Sequence, residues 1–572
     1  MPPSAPAVIA EWCRTPLDQL LAAAEASGGG CLPHSALAAA HELHKLAAVK
    51  VPAYAAFLED QQRHSQQQQQ QQAEAQGKEA GSLAAPAAAS RAAPAESWQA
   101  VPFTTKQNYF HAYPLPARCM GGRSSDARSS SRASDGGVSA STAAAGGGPA
   151  AGLGAADFVH TSSGSSGAPT LWARNVFDEL AVCTRFEQVL WDNFGAHRHP
   201  TLAVVALPLG SWVGGLFTTL CLRYLTLKGY RLTTVTPGNS VPHILQLVGD
   251  LAPHFHQTVL LGYPPFLKGV ADAGVAAGLP WADYRVRLVL AGEVFSEEWR
   301  SLMAQRLGMR DVLRDVVSLY GTADAGVIGN ETALSVAIRR WLAKHPEAAA
   351  ELFGKQRLPT LVQYDPHSRL LEAHPEDGTL VVTAVGTPNM AAPLLRYCIG
   401  DAGGFLSYAD MLRIVEERGF VLPAGVVPVR KLPFAWVFGR SFWTVSVFGA
   451  NVYVENIMSG MEQPELAEAT TGKFVLCVEE SADLDSQLAV RVELAPGVQP
   501  SAALQAQVAA VLLRELRRLN SEYAAYVPTE RQLPAVHLHT HADPAWFPAG
   551  VKHKWVLDGG SGSGSSGQDG AR

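Results

Sequence analysis

At 572 residues the chain is too long for one ordinary hydrophobic core, so at least two domains are expected. With 47% hydrophobic and 17% charged residues its composition is globular, and a net charge of −6 lacks the basic excess that a nucleic-acid partner demands. Cys13, Cys31, Cys119, Cys183, Cys221, Cys398 and Cys477 show no CxxC spacing, which argues against a disulfide framework or zinc knuckle and for a reducing, cytoplasmic setting. No apolar run of about 18 residues predicts a membrane span. The start, MPPSAPAVIAEWCRTPLDQL, has no basic flank before an apolar core, so no secretory signal is expected; Glu11 and Asp18 also count against an organelle transit peptide.

Residues 1–60 read as a helical N-terminal part of a large domain, with its clearest pattern in ALAAAHELHKLAAVKVPAYAAFLED. The glutamine- and alanine-rich tract over 61–96 and the Ser/Gly/Ala-rich tract over 121–154 read as unstructured insertions, with the large domain continuing through 97–120 between them. The glutamine run is best read as tolerated loop expansion. From Thr201 the texture alternates regularly. Strands are expected in TLAVVALPLG, RLTTVTP, QTVLLGYP, RVRLVLAG and DVVSLYG, and helices in GLFTTLCLRYLTLKG, VPHILQLVGDLAP, PFLKGVADAGVAAGL and SEEWRSLMAQRLG, the last capped by Ser296. Apolar strands alternating with helices predict parallel strands covered on both faces, hence an α/β domain over 155–439. Ligands in such sheets bind beyond the carboxyl ends of strands, where GSWVGG, GYPP, GEVFSEE and GTADAG follow.

After Gly439 the pattern changes. WTVSVFGANVYVENIM, KFVLCVEE and LAVRVELAPG read as strands and SAALQAQVAAVLLRELRRLNSEY as an amphipathic helix, which predicts a small α+β domain over 440–558. Residues 559–572 have the composition of a flexible tail.

FVHTSSGSSGAPTLW places Thr161, Ser162, Ser163, Ser165 and Ser166 around Gly164 and Gly167. Glycines let a turn bring several N–H groups onto one anion, and hydroxyls add donors. It is not a GxxxxGK[ST] loop, because no lysine follows the second glycine, and by composition alone it is a linker. His537, His539 and His541 share one face if HLHTH is a strand; that reads as an exposed strand face more readily than as a metal site. Trp212, Gly214 and Tyr263, which follow strand ends, line a substrate pocket or pack in the core. Cys398 has no identifiable base or orienting partner, so it is not read as a nucleophile.

Taken together, motifs in a fixed order resemble the adenylate-forming superfamily, and within it the phenylacetate–CoA ligase branch. VHTSSGSSGAPT is similar to the family's phosphate loop, LAGE to its G-[AG]-E region, SLYGTADAG to Y-G-x-[ST]-E, LLRYCIGD to R-Y-x-x-G-D, FGRSFWTVSVFGANVYVENI to the hinge and first strands of a mobile C-terminal domain, and GVKHKWVLD to the terminal segment with the catalytic lysine. KVPAYAAFLED and VPFTTKQNYFHAYP look like the branch's N-terminal elements. The resemblance implies a large N-terminal adenylating domain with mixed or parallel sheets flanked by helices, and a small α+β C-terminal domain. It also implies ATP- and Mg²⁺-dependent activation of a small carboxylic acid, aryl or acyl, as an acyl-adenylate, followed by transfer to CoA, and a branch in which homodimers are common.

Carried over residue by residue, Thr161 through Gly167 would grip the β- and γ-phosphates. Gly292, Glu293, Tyr320, Gly321 and Thr322 would lie near the adenine and α-phosphate, and Asp401 would hold the ribose with Arg440 close by. Lys552, or Lys554 as runner-up, would be the catalytic lysine, and Asp324 the Mg²⁺ partner. The chain departs from the pattern at Ala323, where the family has a hydroxyl residue, at Asp324, where it has glutamate, and at Phe442, where it has the hinge acid. These departures keep two alternatives open: an amino-acid or carrier-protein acceptor, and a catalytically degenerate nucleotide-binding regulatory protein.

Overall fold

The computed structural model describes residues 4–75, 97–121, 153–162, 170–355, 358–385, 390–440, 444–547 and 556. In chain order the strands are β1 (Phe158–Ser162), β2 (Thr170–Arg174), β3 (Thr201–Ala206), β4 (Leu232–Val235), β5 (Gln257–Gly262), β6 (Val286–Leu290), β7 (Val316–Thr322), β8 (Gly326–Asn330), β9 (Thr360–Tyr364), β10 (Arg369–Ala373), β11 (Leu380–Ala384), β12 (Tyr397–Cys398), β13 (Asp401–Leu406), β14 (Phe434–Arg440), β15 (Thr444–Val447), β16 (Ala450–Tyr453), β17 (Thr470–Glu480), β18 (Ser486–Leu494) and β19 (Ala535–His539).

Nine of them form one sheet in the order β13-β14-β9-β8-β7-β6-β5-β3-β4. Its β4-β3-β5-β6-β7 half is parallel, as the alternation with helices predicts. Every residue of β3 and β5 is buried, so both faces of this half are covered. From β7 onward the pairing turns antiparallel, through β8, β9, β14 and β13. The sheet is therefore mixed, as the resemblance implies. Short turns drive the change: β7 and β8 are joined by the tight segment after Thr322, which leaves no room for a crossover helix.

Beyond β14 lies a smaller α+β unit. It comprises the β15–β16 hairpin, the β17-β18-β19 sheet, and helices Val454–Met461, Ala502–Leu519 and Ser521–Tyr526. One hydrophobic core runs from the parallel strands (Leu202, Val204, Leu260, Leu288) into this unit (Val447, Phe474, Leu476, Leu512). Each such fully buried aliphatic side chain stabilises the fold by about 1.5–3 kcal/mol. A second core, with Tyr54, Phe57, Tyr109 and Tyr397, lies between the N-terminal helices and the antiparallel half.

Three sequence expectations are corrected. The helix Pro52–Ala75 runs through the glutamine run, so the tract expected to be unstructured from Gln61 begins as helix; glutamine is a good helix former and simply continues the turn begun by YAAFLED. VENIM, read as strand, opens the helix Val454–Met461, because the Asn456 side chain accepts from the Tyr453 N–H at 3.1 Å and caps it. The expected single helix ending in NSEY breaks at Asn520, which ends one helix and caps the next by accepting from the Tyr523 N–H at 2.9 Å. The Ser296 cap holds as expected, its Oγ accepting from the Trp299 N–H at 3.1 Å.

Candidate functional site

A cavity of about 1660 Å³ opens at the carboxyl ends of β3, β5, β6 and β7, where Leu207, Tyr263, Ala291, Gly292, Glu293 and Tyr320 meet. The small unit closes its other side with Cys477, Glu479, Arg491, Tyr526, Trp546 and Val556. Site residues that the sequence scatters over three hundred positions converge here because parallel strands all end at the same edge of the sheet.

The flanks of the hydroxyl-rich stretch are strands. β1 and β2 pair so that Ser162 faces Thr170. Ser162 lines the cavity, and its Oγ accepts from the Trp172 indole N–H at 2.9 Å. Thr161 donates its N–H to the Ser211 carbonyl at 3.0 Å, which ties β1 to the segment after β3. His160 is fully buried between the rings of Phe158 and Phe217; burial, aided by Arg174, pushes its imidazole down to about 3 and keeps it neutral. Ser163, Gly164, Ser165, Ser166 and Gly167 lie outside the described residues, as do Phe442, Lys552 and Lys554. Lys106, which sequence reasoning did not single out, also lines the cavity. The signal available for it was the absence of lysine from the hydroxyl-rich stretch.

Two motifs exchange partners across the cavity wall. The Tyr320 hydroxyl donates to Asp401 Oδ2 at 2.9 Å, and the Tyr397 hydroxyl donates to Asp324 Oδ2 at 2.5 Å. Thus the tyrosine of YGTADAG holds the aspartate of RYCIGD, and the reverse. All four side chains are buried, and Tyr320, Asp324 and Asp401 line the cavity. Arg174 donates to the carbonyls of Ala323, at 3.1 Å, and Asp324, while Arg369 donates to the Ala325 carbonyl at 2.8 Å. Thr322 Oγ1 accepts from the Ala325 N–H at 3.0 Å and closes the turn. Gly321 has little room: an added Cβ would come within 3.0 Å of the Gly326 carbonyl oxygen. Arg440 is the register partner of Asp401 across β13 and β14, so its backbone lies beside that aspartate.

Among the described residues no group of three or more His, Cys, Asp or Glu could hold a metal ion. A single carboxylate group at the wall of a cavity, even one already hydrogen-bonded, still fits Mg²⁺, which binds through one or two carboxylates, waters and substrate phosphates rather than a full protein cage. Asp324 meets that description.

Glu293 follows β6 after Gly292, and it reaches the small unit, where its Oε1 accepts from the Gly449 N–H. Burial pushes its carboxyl up to about 7; the Gly449 N–H works against the rise and Glu480 adds to it. Gly292 (φ 84) and Gly449 (φ 79) both sit against the ring of Tyr263, where an added Cβ would come within 2.8 and 2.3 Å of it. Tyr263 and Gly214 line the cavity. Trp212 falls outside that lining. Its ring packs edge-on against Tyr526 at 5.1 Å, so it meets the small unit rather than facing the cavity.

The histidine trio does not converge. His537 bonds Glu479 at 2.8 Å and His539 bonds Asp543 at 2.9 Å, while His541, beyond the end of β19, is 3.6 Å from Glu493. Burial pushes the Cys398 thiol up to about 11, which leaves it protonated and poorly nucleophilic. Among the described residues no helix is long and apolar enough to cross a membrane.

No family model matches the sequence, and no curated protein matches it. Solved structures do. The chain is similar to 2-hydroxyisobutyryl-CoA ligase in complex with 2-HIB-AMP and CoA, at 15% identity over 71% of this chain and 74% of that one, with a TM-score of 0.48. It is similar to the amide bond synthetase McbA from Marinactinospora thermotolerans at 16% identity, over 67% and 65% of the two chains, with a TM-score of 0.40. A double mutant of the o-succinylbenzoate CoA synthetase from Bacillus subtilis, bound to its product analogue, aligns at 13% identity over 67% and 65%, with a TM-score of 0.37.

Proposed function

We propose that this chain activates a small carboxylic acid with ATP as an acyl-adenylate and passes the acyl group to the thiol of CoA. The observation that carries the reading is the partner exchange between Tyr320–Asp401 and Tyr397–Asp324. It brings the two motifs read as nucleotide-binding into one wall, beside Glu293 and the flanks of the hydroxyl-rich stretch.

In the first step a carboxylate oxygen attacks the α-phosphorus, and the bond to pyrophosphate breaks. In the second a thiol sulfur attacks the acyl carbon, AMP leaves, and the thiol proton goes to solvent. Neither step needs covalent help from the protein, so the chain's contribution is positioning and charge. Residues 161–167 would hold the β- and γ-phosphates with Lys106 as their cation. Asp401, already oriented by Tyr320, would accept from the ribose. Gly292, Glu293, Gly321 and Thr322 would flank the adenine and α-phosphate, and Gly214 and Tyr263 the acid. Asp324 would hold Mg²⁺, which when bound offsets phosphate charge. Val556 pairs with Leu476 and lines the cavity two residues after Lys554; this supports assigning the catalytic lysine to that segment, with Lys552 first and Lys554 second. On this reading residues 155–439 form the adenylating domain and 440–558 the mobile one.

The test is exchange of labelled pyrophosphate into ATP with a panel of carboxylic acids, followed by product analysis with CoA. Acid-dependent exchange and a CoA thioester are expected. Exchange with amide products instead would move the acceptor to an amine. ATP binding without exchange for any acid would leave a degenerate nucleotide binder, which the Ala323 and Asp324 departures favour.

A further inference from the structure

Tyr526 enters the cavity from the small unit, and local sequence explains how. Asn520 is 3% exposed and donates through Nδ2 to the Asn451 carbonyl at 2.8 Å and to Asn456 Oδ1 at 3.1 Å, so it is fixed against the β16 segment. Its extended backbone ends the long helix, and its Oδ1 starts the short helix Ser521–Tyr526 in a new direction. That turn carries Tyr526 onto the large domain. Its ring lies 5.1 Å from Trp212, edge-on, and 5.7 Å from Tyr263 at 26°, nearly parallel. Beside this ring pair, Asn239 donates to the Ala525 carbonyl at 3.0 Å. Tyr526 is 6% exposed, yet it lines the cavity.

We infer that Tyr526 forms one wall of the subsite for the apolar part of the acid, so that two domains, and not the large one alone, set which acids are accepted. The inference rests on the proposed acid-activating reading of the cavity. The facing walls, Leu207, Val213, Gly214, Phe217 and Tyr263, belong to the large domain and are apolar apart from the tyrosine hydroxyl. These apolar side chains recognise hydrocarbon by size, while Glu293 and Glu522, which act on Tyr263 and also line the cavity, are the polar groups at their edge. Gly214 leaves open the space opposite: an added Cβ there would make only ordinary contact, 3.5 Å from the Tyr263 hydroxyl. Removing the Tyr526 ring would extend this space toward the small domain, and a larger ring would shorten it.

The experiment uses the full chain and a graded series of alkyl and aryl carboxylic acids, with kcat/KM for pyrophosphate exchange as the readout. Tyr526→Ala should raise the ratio of the bulkiest to the smallest accepted acid roughly tenfold, Tyr526→Trp should lower it, and Tyr526→Phe should leave it near wild type. A ratio unchanged in Tyr526→Ala and Tyr526→Trp, whatever the loss in absolute rate, would mean that the residue only holds the domains together, and the inference fails. If thermal melting shows that Tyr526→Ala does not fold, the Trp and Phe variants decide by the same ratio. Absence of exchange by the wild-type chain with every acid would instead overturn the proposed function itself.

Discussion

Tyr397 donates its hydroxyl to Asp324 at 2.5 Å, across a separation of 73 positions in the chain. The contact sets where Asp324 stands at the cavity wall: the carboxylate is positioned by a buried phenol, and its own backbone carbonyl by Arg174. Tyr397→Phe should therefore leave the fold intact and lower adenylation by about tenfold, the size of one lost hydrogen bond to a charged group. Asp324→Asn should cost more, roughly 10²-fold, and should abolish the response to Mg²⁺ concentration. Pyrophosphate exchange across a Mg²⁺ titration checks both.

Glu293 links stability to pH. Its carboxyl in the folded protein is pushed up to about 7, well above its ordinary 4.5, so the folded state holds a proton that the unfolded state has lost between those values. Stability on this account is full below pH 4.5, falls as pH rises toward 7, and levels off above it, with a slope of at most ~1.4 kcal/mol per pH unit. Glu293 lines the cavity and is half-buried, so solvent reduces the slope. Glu293→Gln should flatten that segment of the profile in denaturant titrations run from pH 4.5 to 8.

At the cavity wall, Glu297 receives Arg300 at 2.9 Å together with Arg339, and Arg300 continues to Glu331 at 2.7 Å; the four side chains are buried. Burial opposes the charge on Glu297, but the guanidinium groups of Arg300 and Arg339 outweigh it and hold the carboxyl below the usual range. Glu297→Ala would leave the buried Arg339 with carbonyl partners but no carboxylate, and Arg300 with Glu331 alone; it should destabilise the chain by about 3–5 kcal/mol, measured by chemical unfolding.

Lys106 lines the cavity, and on the proposed function it supplies the cation that the hydroxyl-rich stretch lacks. Lys106→Ala should raise KM for ATP by about tenfold, one charge-assisted contact to phosphate, while KM for the acid stays within twofold of wild type. A parallel rise in both constants would give Lys106 a structural role only.

Gly449→Ala tests the seam between the domains. An added methyl would lie within 2.3 Å of the Tyr263 ring, at a φ of 79° that disfavours any side chain. Loss of protease protection over β15 and β16, with the large domain still resistant, is the expected outcome.

Much of the sheet was readable because apolar runs buried on both faces have few other places to go; β3, β5, β6 and β7 fall where TLAVVALPLG, QTVLLGYP, RVRLVLAG and DVVSLYG predict. Glu293, Tyr320, Asp324 and Asp401 were readable as motif residues because Glu293 and Asp324 follow strands, Asp401 begins one and Tyr320 lies near the end of one. The antiparallel half of the sheet was harder. Direction depends on which strand each run pairs with, and pairing partners such as β14 and β9 are set by contacts far apart in the chain. Trp212 shows the limit of reading pockets from position: a tryptophan after a strand end suits a pocket lining, but a tyrosine from another domain took up its face.

By itself, then, the sequence determined most kinds of element, though not the helices at VENIM and Gln61, together with the order of the motifs and the chemistry of their side chains, because periodicity and residue type are local properties. Only the tertiary structure decided who partners whom: Tyr320 with Asp401, Tyr397 with Asp324, Glu293 with Gly449 and Tyr526 with Tyr263. These pairs form because strand ends and domain faces meet in space, and no local pattern along the chain encodes the distance between residues that fold brings together.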